Sequence, residues 1–85
     1  MNSKDRKILR DAEKLFIFVV NASIEQLRKV IEDMYDKETD KMNNLPEAFL
    51  EVTSGQSIAD AIEILEDKLN TLDDISDEVE SSFSS

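Results

Sequence analysis

The side chains with most chemistry to offer are carboxylates: twenty Asp and Glu against ten Lys and Arg in 85 residues, with no His and no Cys. Between Asp36 and Glu47 they fall into a calcium-loop spacing, with Asp36, Glu38, Asp40, Met42, Asn44 and Glu47 at loop positions one, three, five, seven, nine and twelve. The sixth position of such a loop turns on glycine and here is Lys41, which also brings positive charge to where a cation would sit. The spacing therefore reads as a solvated helix end. Glu66 beside Asp67 and Asp73 beside Asp74 could share acid and base roles only in a pocket that splits their pKa values. No His or Cys supplies a nucleophile–base pair, no glycine-rich loop cradles a phosphate, and the Glu-x-x-His signature of carboxylate-bridged metal bundles is missing. The expectation is a chain without catalytic residues, cofactor or metal.

What positions these carboxylates is a helix. From Ser57 to Phe83 the apolar residues Ile58, Ile62, Leu65, Leu69, Leu72, Val79 and Phe83 recur in steps of three and four, interrupted only by Ser76. That is a heptad seam, which wants a partner helix. Between its members lie Asp60, Glu63, Glu66, Asp67, Asp73, Asp74, Asp77 and Glu78, with Lys68 the one cation of the segment.

The first half reads as a second, longer rod. Asn2 or Ser3 can cap it and Asp5 suits its first turn. Leu9, Ala12, Phe16 and Val19 step along one face, and Leu15–Val20 is the most apolar run of the chain. After Asn21-Ala22-Ser23 the pattern resumes at Ile24, Leu27, Ile31 and Met34, shifted by about one residue. With neither Gly nor Pro here, a continuous helix to about residue 43 is expected. The alternative is a break near Asn21, where Ser23 and Gln26 have capping-box spacing, giving a monomeric three-helix bundle. Asn43-Asn44-Leu45-Pro46-Glu47 ends the rod, because proline disfavours helix in the residue before it. A short hinge helix over about 44–53, with Ala48, Phe49, Leu50 and Val52 apolar, and a left-handed turn at Gly55 would lead into the final helix at about 57–82.

The fold class expected is all-α: one domain over 1–85, a long antiparallel helical hairpin. At 1.5 Å per residue the rods are roughly 60 and 40 Å long, so the second covers the first only back to about Ile17. A chain this short also has little core of its own. A homodimer forming a four-helix bundle would supply the cover, through Phe16, Ile17, Phe18, Val20, Ile24, Leu27, Ile31, Ile62, Leu65, Leu69 and Leu72. Charge is divided too. Residues 1–44 carry nine cations and nine anions and residues 45–85 one and eleven, so the net −10 lies in the second half. An antiparallel dimer could lay the basic Lys4–Lys14 turns near the acidic Asp73–Glu80 stretch of the other copy. The same acidity opposes direct nucleic-acid binding, and the six-residue apolar run is far too short for a membrane span. Charge-dense Met1–Lys14 does not read as a signal peptide, and a soluble, cytoplasmic protein of a bacterial host cell is expected.

Asn44-Leu45-Pro46-Glu47, the Gly/Ser turn after it and the acidic heptads from Ile58 to Leu72 resemble a group of small acidic helical proteins of phages, prophages and mobile elements of Gram-positive bacteria. The likeness covers about residues 24–75, and Phe49-Leu50-Glu51-Val52 is more apolar than that pattern. It implies no settled activity and no catalytic residues. Two functions follow as expectations: a non-enzymatic module that binds a host or phage protein, or an inhibitor whose acidic face, Asp60, Glu63, Glu66, Asp67, Asp73, Asp74, Asp77 and Glu78, mimics nucleic acid before a host protein such as a defence nuclease.

Overall fold

The computed structural model describes residues 1–47 and 53–84. The fold is an all-α hairpin of two helices, α1 (Ser3–Asn44) and α2 (Thr53–Phe83), and no strand occurs among the described residues. Asn2 caps α1 as its type predicts: the Asp5 N–H donates to Asn2 Oδ1 at 2.8 Å, while Asp5 puts a negative charge in the first turn. At the other end Leu45 leaves the helix for extended backbone (φ −70°, ψ 133°), the conformation that Pro46 imposes on its neighbour. The expected apolar piece Ala48–Val52 lies outside the described residues.

α1 runs unbroken through Asn21, Ala22 and Ser23, so the three-helix alternative is not the fold of this chain. What looked like a shift of one buried face is two stripes side by side. One stripe consists of Ile17, Val20, Ile24, Arg28, Ile31, Tyr35, Glu38 and Met42, all buried or half-buried against α2. The other consists of Leu9, Ala12, Phe16, Val19, Ser23, Leu27, Val30, Met34, Lys37 and Lys41, and every member is exposed. Both follow steps of three and four, so each holds one line along the helix.

The second helix begins earlier than its seam. The expected left-handed turn at Gly55 is absent: no described glycine has positive φ, and Gly55 lies buried inside the first turns of α2. Its missing side chain lets the start of α2 come close to Met42 and Leu45 at the end of α1, with which it lines one crevice. From there the heptad seam faces α1 throughout. Ile58, Ile62, Leu65, Leu69, Ser76 and Val79 are half-buried and Leu72 is buried.

Cross-helix contacts fix the antiparallel register. The Phe16 and Phe83 rings meet edge to face at 5.1 Å, the Ser76 hydroxyl donates to Asn21 Oδ1 at 3.3 Å, Arg28 pairs with Asp73, and the Tyr35 hydroxyl donates to Glu66 at 3.1 Å. Asn21, which follows the apolar run of α1, and Ser76, the polar position of the α2 seam, are therefore partners. Offset pairing would leave each facing apolar side chains, a register device of the kind that a single core Asn supplies in coiled coils.

Candidate protein-interaction face

Among the described residues the buried apolar side chains are Ile24, Ile31 and Leu72, with Val20, Leu65 and Leu69 packed against them. Three of the candidate self-association residues thus form the hairpin's own core, and Ile17, Ile62 and the three packed around that core are partly covered by the opposite helix. Among the candidates Phe16, Phe18 and Leu27 stay exposed, Phe18 at 72%. The exposed apolar surface also takes in residues outside the self-association set: Leu15, Val19, Val30, Met34, Ile64 and Ile75. The usable signal was the Leu9–Ala12–Phe16–Val19 line, which continues past Ser23 to Val30 and Met34 in unbroken steps of three and four.

Phe16, Val19, Leu27, Val30, Met34, Ile64 and Ile75 share one side of the hairpin, whereas Phe18, two residues from Phe16, points to the other side and Leu15 to the back of α1. Leu27, Val30 and Met34 from α1 line a groove with Leu65, Leu72 and the stems of Lys68 and Thr71 from α2. Next to it toward the hinge, Met34, Lys37 and Lys41 line another with Ala61, Ile64 and Leu65. Toward the open end, Ile75 and Val79 meet Phe83, and Phe83 meets Phe16 and Ala12. The result is a continuous apolar strip along the rod, whose Cα trace spans 69 × 16 × 13 Å. Helical phase explains the alignment. In an antiparallel pair, residues just to the same rotational side of each seam emerge on the same side of the pair.

The opposite side is polar. There Arg28 reaches Asp73 and Tyr35 reaches Glu66, bridging the helices. The Asp73 carboxylate that accepts its hydrogen bond raises the Arg28 pKa, and the Glu66 carboxylate that accepts the Tyr35 hydroxyl raises the phenol above its usual range. All eight carboxylates assigned to the acidic face are exposed along α2, and Asp73 alone has a cation partner among the described residues. Asp36, Glu38 and Asp40 lie within α1, where residues two apart point different ways, and Glu38 instead holds Lys41 at 3.0 Å. No group of three potential metal ligands occurs among the described residues. No described helix is long and apolar enough to cross a membrane.

Set against known proteins, the chain matches no family model, no curated protein and no solved structure. Fold and surface together define the class: an acidic two-helix hairpin with one apolar side open to solvent.

Proposed function

We propose that this chain is a non-enzymatic interaction module that works by seating its apolar side on another polypeptide. The observation that carries this reading is the strip itself: Leu9, Phe16, Val19, Leu27, Val30, Met34, Ile64 and Ile75 are each at least 43% exposed, and they are gathered on one side rather than scattered. Scattered apolar residues are ordinary on a protein surface, whereas a continuous strip along the molecule marks a site of association. Its resemblance to accessory proteins of phages and mobile elements makes a host or phage protein the partner class. A photo-crosslinking residue at Val30 or Met34 in the expressing cell is expected to form adducts with polypeptide, its own copies or others, well above the same residue at Asp74. Equal labelling from the two sides would overturn the reading.

A second reading rests on the other surface. Seven of the eight carboxylates of the acidic face have no cation partner among the described residues, and Asp60 to Glu78 spans about 27 Å of helix at 1.5 Å per residue. That strip would occupy a basic nucleic-acid groove of a host protein. Asp73→Lys, Asp74→Lys and Asp77→Lys together would abolish such inhibition and leave contacts through the apolar side largely intact.

A further inference from the structure

We propose that the occupant of the apolar side is a second copy of this chain, packed with both hinges at the same end, so that α1 of each copy lies on α2 of the other. This rests on the interaction-module reading and adds the partner and its orientation.

Surface area calls for a large occupant. A compact monomer of 9.7 kDa exposes about 5,100 Å², and this chain exposes 6615 Å². Removing that surplus from each copy of a pair would bury about 3,000 Å², within the range of obligate homodimers. Two hairpins face to face also make a four-helix bundle, in which each open stripe gains the neighbour that its heptad spacing suits.

Charge selects the orientation. The rim of the apolar side along α2 is mainly acidic, with Asp60, Asp67 and Glu78 outnumbering Lys68 beside Ile64 and Ile75, whereas the hinge end of the α1 stripe is basic, with Lys37 and Lys41. If the hinges lay at opposite ends, the two α2 rims would run side by side and acid would meet acid. With the hinges together, the two-fold axis lies along the rod and every residue keeps its height. Within one hairpin Tyr35 is level with Glu66 and Arg28 with Asp73, so by the same register Lys41 is level with Asp60, and Lys37 lies between Glu63 and Asp67. In the pair these become contacts between copies. Lys37 has no ion partner among the described residues, and Lys41 has only the half-buried Glu38. Each such rim pair is weak, but four of them by symmetry favour one orientation over the other.

Two measurements on the whole chain test this. The absence of Cys allows a single nitroxide at Lys4→Cys, a residue outside the proposed face contacts. Joined hinges place the two labels at the same height across a bundle of 8–10 Å interaxial spacing, within about 35 Å of one another including their linkers. Opposed hinges place them about 60 Å apart, since each lies some twenty residues from the middle of α1. In parallel, Asp60→Lys with Asp67→Lys should weaken the dimer about tenfold, and adding Lys37→Glu with Lys41→Glu should restore it. A label distance near 60 Å, or a dimer strengthened by the two lysines, overturns the orientation. A helical monomer at high concentration removes the second copy as occupant; Val30 adducts with other proteins would then leave the module reading intact.

Discussion

Two stripes of α1 have the same spacing and nearly the same residue types, yet one is a core and the other a surface. Ile24 and Ile31 are 9% and 4% exposed, whereas Leu27, Val30 and Met34, within a turn of them, are each 50% exposed. Nothing intrinsic to Leu or Val at these positions separates them from the Ile residues. The difference is that a single α2 can cover only one stripe: packed helices interlock along one line of each, and the adjoining line rotates out into solvent. A helix apolar over two stripes therefore keeps one of them uncovered when it has a single partner helix.

The largest expected effect breaks this comparison directly. Ile31→Ala should cost about 2–4 kcal/mol, because it opens a cavity beside Ile24 and Leu72, the other buried apolar side chains among the described residues. Val30→Ala, one residue away, should change the stability of a dilute, isolated copy by less than about 0.5 kcal/mol. Urea unfolding followed by circular dichroism reads both, and similar costs would mean that the second stripe is covered within one chain.

A smaller effect sharpens the role of the covered stripe. Asn21→Leu alone sets an apolar side chain against Ser76 and should lower stability by about 1 kcal/mol, and Ser76→Leu alone should do the same by leaving Asn21 unpaired. The double replacement should recover much of that loss while loosening the register. Additive losses in the three variants would show that the pair has no coupling.

The smallest effect lies on the polar side and is a titration. Tyr35 is the one tyrosine and tryptophan is absent, so phenolate absorbance reports this contact alone. Its midpoint should lie above the ordinary tyrosine range and return toward it in Glu66→Ala. Because the folded value is raised, the contact's contribution is present in full below the unfolded phenol pKa and is lost as pH rises through the folded one. A midpoint unchanged by Glu66→Ala would place the cause elsewhere.

Much of the hairpin was legible in the residues. Pro46 after Leu45 marked the end of α1, Asn2 and Asp5 its start, and the Ile58–Phe83 steps the line that α2 turns to its partner. Gly55 misled, since a lone glycine after Thr-Ser reads as a cap and here serves close approach inside a helix. The exposed apolar side was half legible. Its α1 line could be counted to Val19, but the polar Ser23 hid its continuation to Val30 and Met34, and assigning Ile24, Ile31 and Leu72 to a second copy overlooked that the first claim on them is the chain's own other helix.

By itself the sequence determined what local chemistry determines: two long helices, their caps and hinge, the acid concentrated on the second, and enough apolar residues on the first for two stripes. Which stripe became core, and that Asn21 meets Ser76, Arg28 meets Asp73 and Tyr35 meets Glu66, was decided only when the helices packed. Spacing along a helix fixes which residues share a line, but the rotation of one helix against another depends on side chains far apart in the chain meeting at once.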